Sequence, residues 1–537
     1  MYRTRTTYAW PCIAIVLTLV WPSSTFADWN GFRNGGDSQA NLPLPTAWSP
    51  TAGIGWQHEL PGYGQSTPVI LGNQIFVTAA DGPMKQRLLV LCFSMARGEL
   101  LWRYEHEAST QGPSNYMAAR AAPTPVVDQS GVYAFFESGD CIAVDLQGQA
   151  RWHRNFTADY GKFDNNHGLG SSPAQNASHV FLCIEHKGPS YLLAIDKQNG
   201  QTSWKVDRES TSSWSSPIVA SVGGNEQLIV SSGGNVSGYD VGSGEKLWSL
   251  AGLDGNSVPS PTLIGNNLFI GARLPEFAEE GSIRSNCCID LSSLGEGEPK
   301  VAWRADKALS DYASPVVSGE FVYFVNKAGV LFCLDAGTGK VQYAKRLGTQ
   351  CWGTPIVANS LVYFFGKDGK TQVLKPGPNF ELVSSNVLWS EDNPPKPEQY
   401  VENSGGAHGH AGAAGEDDKT GDKTGDKTGD GQARGPSARG TGGQGGGMLA
   451  ALMKGDANGD GTLTADEISS DFKPMLARID TNTDGSLDAA EIKAMADSFA
   501  ARRTDSQASA RDPIVYGAAA SQGKIIIRTG TRLYCIQ

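Results

Sequence analysis

The sequence predicts an all-β fold, an eight-bladed β-propeller, with a small all-α module inserted between blades seven and eight. Three observations predict it. A small polar residue followed by proline recurs seven times ahead of an apolar stretch. A tryptophan or tyrosine recurs every 40 to 55 residues behind a turn. Late in the chain that rhythm stops, and two acidic twelve-residue loops stand in its place.

The first 27 residues read as an export leader. Arg3 and Arg5 give a positive start, Cys12 to Trp21 a short apolar run, and Thr25 and Ala27 the small residues of a cleavage site. The run is roughly half of the ~20 residues needed to span a bilayer. The expectation is a mature protein that is periplasmic or secreted. The net charge of −11 argues against a nucleic-acid partner, which needs a basic face.

The blades come next. Ser66-Thr67-Pro68, Pro123-Thr124-Pro125, Ser172-Pro173, Ser216-Pro217, Ser260-Pro261, Ser314-Pro315 and Thr354-Pro355 each open a unit. Strands such as Gln74–Thr78, Val132–Phe136, Val180–Ile184, Leu268–Gly271, Phe321–Val325 and Leu361–Phe365 follow, rich in residues that suit a pleated, half-buried surface. Each unit then has a glycine turn with an aromatic four residues on: Gly98/Trp102, Gly148/Trp152, Gly200/Trp204, Gly244/Trp248 and Gly339/Tyr343. Trp303 and Trp389 are placed in the same slot after irregular turns. Four short strands at a period near 45 indicate a propeller blade. The aromatic is expected to fill the gap between neighbouring blades.

The ends supply the eighth blade. Residues 514–537 carry strands but no closing tryptophan, whereas Gly55–Leu60 is a tryptophan strand without a blade. If Trp56 joins the last sheet, the ring closes and no edge remains open.

These residues resemble a known repeat. The Ser-Pro opening, the turn Asp335-Ala336-Gly337-Thr338-Gly339-Lys340 and the closing aromatic strand are similar to the PQQ-like propeller repeat, over about 29–392 plus 512–537. Trp29-Asn30-Gly31-Phe32-Arg33 resembles the start of exported PQQ-like propellers of planctomycete type. The resemblance implies one of two functions. One is a non-enzymatic scaffold for a protein or cell-envelope partner. The other is a quinoprotein oxidoreductase acting on an alcohol or sugar, with pyrroloquinoline quinone (PQQ) on the axis, a tryptophan, a disulfide between adjacent cysteines, a calcium ion and an aspartate base.

The insert interrupts the ring. The domain plan is a leader at 1–27, propeller at 28–392, a glycine- and charge-rich linker at 393–447, the helical module at 448–503, and a linker with the last blade at 504–537. The first linker repeats Asp-Lys-Thr-Gly and cannot bury a core. His408 and His410 within it read as solvated. The module has the form of an EF-hand pair. Its loops offer Asp456, Asn458, Asp460, Thr462 and Glu467, then Asp480, Asn482, Asp484, Ser486, Asp488 and Glu491. Calcium takes six to eight oxygen ligands, and these positions supply side-chain oxygens, a backbone carbonyl at Thr462 and Ser486, and a terminal carboxylate. Gly461 and Gly485 stand where the loop must turn sharply. Leu463 and Leu487 are expected to lie between the loops and pair them. Asp488 gives the second loop an extra carboxylate over Thr464, which predicts tighter binding there.

Two bound calcium ions are therefore expected, and the scaffold reading is preferred for the propeller. Cys287-Cys288 is the one match to the quinoprotein disulfide. Yet Cys288 falls two residues before Asp290, as Ala143, Ala194, Gly238 and Cys333 fall before Asp145, Asp196, Asp240 and Asp335. That slot wants a small buried residue. Asn165, Asn166, His167, Glu185 and His186 are polar loop residues without a catalytic spacing.

Overall fold

The computed structural model describes residues 28–114, 118–273, 285–295, 297–398, 462–464, 486–487, 491 and 513–537. Its propeller consists of eight sheets of four antiparallel strands, one of which carries a fifth, parallel strand. Blade one comprises Val69–Leu71, Gln74–Asp81, Arg87–Ser94 and Leu100–Glu107. Blades two to seven run over 126–155, 174–208, 218–250, 262–304, 316–346 and 356–387. The second and third strands of each blade are almost wholly buried, because both faces lie against neighbouring blades. Outer strands alternate with solvent, as Leu100–Glu107 does. Among the described residues the one complete α-helix is Phe156–Tyr160, capped where the Asn155 side chain accepts from the Ala158 N–H at 2.8 Å. No helix among them is long and apolar enough to cross a membrane.

The ring closes as the sequence predicts. Blade eight contains Val515–Ser521, Lys524–Thr529 and Arg532–Ile536, and its outer strand is Ile54–Glu59 from the far end of the chain. Trp56 pairs with Cys535. Arg528, fully buried, stitches this sheet to blade one through the Ser66 carbonyl at 3.1 Å and the Thr78 carbonyl at 2.6 Å.

The register explains the small-residue slot. Cys92, Ala143, Ala194, Gly238, Cys288, Cys333 and Cys535 lie directly opposite Trp102, Trp152, Trp204, Trp248, Trp303, Tyr343 and Trp56. A small residue leaves room for the large ring across the strand pair. A register shift follows immediately in each of these sheets, so the bulge re-aims the ring towards the next blade. There it covers the turn glycine: Trp56 over Gly98, Trp102 over Gly148, Trp152 over Gly200, Trp204 over Gly244 and Trp303 over Gly339. The indole N–H of Trp102 donates to the Leu146 carbonyl at 2.9 Å, and that of Trp303 to the Ala336 carbonyl at 2.8 Å.

Gly339 has φ +71°, and a Cβ there would stand 2.5 Å from Trp303 Cδ2. Gly339→Ala combines left-handed backbone strain with overpacking and should cost about 2–4 kcal/mol. Urea unfolding of the variant against the parent measures it, and an unchanged midpoint would show the turn to be slack.

Blade seven departs from the sequence expectation. Its slot pairs Val373 with Ser384, so Trp389 is not the equivalent of the other closing aromatics. The outer strand Glu381–Val387 ends before Trp389, whose ring lies over Gly369 of its own blade. The large residue has moved across the pair: Val373 is big where the others are small, and Ser384 small where the others are big. The Ser384 hydroxyl donates to the Thr46 carbonyl instead, and Trp48 joins the core shared by blades seven, eight and one.

Candidate functional site

The two ends of the ring are built differently. At one end the Ser/Thr-Pro motifs form a hydrogen-bonded girdle. The backbone N–H of Thr67 donates to Thr124 Oγ1 at 2.9 Å, Thr124 to Ser172 Oγ at 3.0 Å, Ser172 to Ser216 Oγ at 2.9 Å and Ser216 to Ser260 Oγ at 2.8 Å. Ser260 then donates to Ser314 Oγ at 3.0 Å and Ser314 to Thr354 Oγ1 at 3.2 Å. A hydroxyl at this place satisfies a buried N–H of the preceding blade, which is why the residue before each proline is Ser or Thr. Gly517 holds the register position in blade eight, and a Cβ there would stand 2.2 Å from Thr67 Cγ2. The girdle therefore breaks at blade eight.

Aromatics crowd the girdle end on several blades. Trp214 and Trp352 lie two residues before their girdle hydroxyls, as does Tyr312. The Trp214 indole donates to the Gly168 carbonyl at 2.9 Å. Tyr312 and Trp352 contact each other at 5.2 Å between centroids, with Lys367 Nζ 4.9 Å over the Trp352 ring. A cavity of about 470 Å³ opens between blades eight and one, lined by Tyr63, Asp81, Arg120, Lys396 and Thr531.

The other end is sealed by the segment Trp29–Ala40. Trp29 exchanges backbone hydrogen bonds with Ile70 of blade one, at 2.9 and 2.7 Å. The Asn30 carbonyl accepts from Val127 N of blade two at 2.9 Å and from Gln175 Nε2 of blade three at 3.1 Å. Gly36 lies so close to Ile218 of blade four that a Cβ would meet its Cγ2 at 2.7 Å. Arg33 reaches the Pro261 carbonyl at 3.1 Å and Thr262 Oγ1 at 2.5 Å on blade five. Gln39 Nε2 donates to the Val317 carbonyl of blade six at 2.8 Å, and Gln39–Ala40 adds a parallel strand to blade seven. Burial pushes the Arg33 guanidinium down to about 9, opposed by Asp37, so it remains a cation at neutral pH. The sequence marks Trp29 to Arg33 only as a resemblance; its clustered Gly and Asn are the turn signal, and its role as a stopper was not legible.

The loops read as metal ligands are described in part. Thr462, Ser486 and Glu491 are among the described residues; Asp456, Asn458, Asp460, Glu467, Asp480, Asn482, Asp484 and Asp488 lie outside them. What is described is the centre of the module. Leu463 pairs with Leu487 and Thr464 with Ser486 in a two-residue antiparallel ladder, with both leucines buried. In chain order it falls between blades seven and eight. Residues 1–27, read from the sequence as an export leader, also lie outside the described residues.

Ahead of the module, residues 391–398 cross blade eight. Arg532 donates to the Asn393 carbonyl at 3.0 Å, Thr531 Oγ1 to the Lys396 carbonyl at 2.8 Å, and Glu398 pairs with Arg120 at 3.3 Å, both buried.

A family model described as outer membrane protein assembly factor BamB matches residues 44–188, 162–272 and 290–415.

The chain belongs to this family.

Two curated relatives carry the same description. That of Burkholderia pseudomallei is 24% identical over 219 residues, 40% of this chain and 52% of the relative. That of Alkalilimnicola ehrlichii is 25% identical over 163 residues, 30% of this chain and 37% of the relative. The chain thus spans about half or less of the curated relatives it matches. Among solved structures, BamB from Moraxella catarrhalis is 14% identical, covers 62% of this chain and 87% of its own, and has a TM-score of 0.46. A quinohemoprotein alcohol dehydrogenase from Pseudomonas putida HK5 is 12% identical, covers 70% and 74%, and also has a TM-score of 0.46.

In this BamB-family propeller the adjacent cysteines face opposite ways, as neighbours on a strand must. Cys287 packs with Ile229 and Leu268 towards blade four, Cys288 with Phe269 and Trp303 towards blade six. All eight described cysteines are buried free thiols, and burial pushes those of Cys287 and Cys288 up to about 12. They are core residues without nucleophilic character, and this pair does not fit a cofactor-facing disulfide. Glu185 and His186 are likewise absorbed by the fold, whereas Asn166 and His167 are exposed. Glu185 accepts from Arg208 Nε at 2.6 Å and Ser232 Oγ at 2.8 Å, and His186 Nδ1 accepts the Gly188 N–H at 2.9 Å.

Proposed function

We propose that this is an exported calcium-binding scaffold. The propeller presents a surface to a protein partner of the cell envelope, and a tethered EF-hand pair holds two calcium ions. The observation that carries the calcium reading is the buried Leu463–Leu487 pair, standing at the eighth position of two consecutive twelve-residue loops. Paired loops of that kind hold their oxygen donors in a fixed relation. Asp456, Asn458, Asp460, Thr462 and Glu467 would hold one ion; Asp480, Asn482, Asp484, Ser486, Asp488 and Glu491 the other. These are hard oxygen donors, the chemistry that suits calcium. The scaffold reading is supported by the relatives described as assembly factors, and by inner strand ends occupied by the chain's own Trp29–Ala40.

Calorimetry on chelator-stripped full-length protein tests the first part. Two calcium ions per chain are expected, with Kd anywhere from about 10⁻⁷ to 10⁻³ M, and no heat of binding at millimolar calcium would overturn it. For the propeller, protein incubated with PQQ and calcium should show no stoichiometric quinone uptake. Tight uptake with dye-linked dehydrogenase activity would replace the scaffold with the oxidoreductase.

A further inference from the structure

We propose that His106, Asp140 and His153 form a binding site for one divalent metal ion of the zinc class, which would tie blade one to blade two. His106 lies on the outer strand of blade one, Asp140 begins the third strand of blade two, and His153 lies on that blade's outer strand. One ligand atom from each residue falls within 4.8 Å of the others. The two imidazole rings face each other across the blade boundary with centroids 4.1 Å apart. His153 Nε2 is 2.8 Å from Asp140 Oδ1.

The carboxylate is held in advance. Its oxygens accept from Ser109 N at 3.0 Å, Ser109 Oγ at 2.6 Å, Ser138 Oγ at 2.7 Å and Asn155 Nδ2 at 3.1 Å. Partners of this kind orient a metal-bound carboxylate. Asp140 is fully buried, yet among the described residues no lysine or arginine pairs with it. Among the described residues its ion-pair partner is His153, which supplies a positive charge only when protonated. A buried carboxylate without a permanent counter-charge is costly, and a divalent cation provides one.

The bland alternative is a hydrogen-bonded clamp in which a proton bridges His153 and Asp140. Both descriptions use the same atoms, because a metal would take the place of that proton. Ligands ~2.0–2.1 Å from zinc lie about 3.3 Å from each other at a tetrahedral angle. The His153–Asp140 pair nearly meets that spacing, and His106 must close the remainder. Neither ring is fully buried, with 31% of the His153 side chain exposed, so the rings can turn and water can complete the coordination. Two imidazoles and one carboxylate suit zinc, copper or nickel, whereas calcium prefers oxygen alone. The site is thus chemically distinct from the loops of the inserted module.

Zinc titration of the calcium-saturated full chain tests this, comparing the parent with His106→Ala, His106→Gln, His153→Ala and the double change His408→Ala/His410→Ala. The double change removes the other histidine pair that could capture zinc. One saturable zinc site is expected in the parent and in the double variant. Its Kd should rise by about 10–100-fold or more in each His106 and His153 variant. Copper-loaded parent should show splitting from two imidazole nitrogens in electron paramagnetic resonance, reduced to one in His106→Gln. Absence of a zinc site in the parent, zinc uptake unchanged by the His106 and His153 changes, or uptake abolished by the double change would each overturn the proposal.

Discussion

Replacing Arg33 by methionine should destabilise the propeller by about 2–6 kcal/mol, because the buried acceptors it satisfies lose their donor. The guanidinium is 3% exposed and reaches the carbonyl of Pro261, the hydroxyl of Thr262 and the carbonyl of Gly36. Methionine fills part of the volume but donates nothing. Two buried carbonyls would lose their donor, at about 1–3 kcal/mol each. Arg33 and Asn34 also hold left-handed backbone, with φ of 56° and 54°. Such strain persists only where surrounding contacts over-determine it. Loss of Arg33 should therefore loosen the whole stretch from Trp29 to Ala40. Amide exchange should rise at Val127 and Val357, whose N–H groups donate to Asn30 and Ser38 of that stretch. A urea midpoint equal to the parent's, with those amides still protected, would show that the stopper is held by its backbone alone.

Replacing Glu491 by glutamine should weaken calcium binding to the second loop by about 100-fold or more and leave the first loop near its parent affinity. Affinity in such loops is tuned over several decades by the charge and number of oxygen ligands. The amide removes the charge and one of the two equivalent oxygens. Glu491 is helical and 6% exposed, so its carboxylate begins in a confined place. Glu467→Gln is the matched change in the first loop. Because the second loop also carries Asp488, the parent site lost in Glu491→Gln should be the tighter of the two. Calorimetry on both variants decides it: the idea fails if neither change alters the isotherm, or if both sites weaken equally in each variant.

Much of the ring was legible because its repeats are local. Strand composition and the turn glycines follow from propensity and from the period, and Phe321–Val325 and Leu361–Phe365 appear with the predicted bounds. The placing of Trp56 on the last sheet was legible from an unpaired strand at each end of the chain. Trp389 was misplaced for a physical reason. The slot is defined by what lies across the strand pair, and in blade seven the large and small residues exchange sides. No count along the chain reveals such an exchange. The trio His106, Asp140 and His153 was equally hidden, because its spacings follow from two blades meeting and from no motif.

The sequence by itself determined the repeat, its count, the closing strand and the acidic loops, since each depends on residues close together along the chain. Only the tertiary structure decided what those residues are for. It made the hydroxyl before each proline a link in a girdle, the small residue opposite each ring a matter of room, and the segment Trp29–Ala40 the stopper at one end of the ring. Hydrogen bonding and close packing act between neighbours in space, and in a ring those neighbours come from blades tens to hundreds of residues apart.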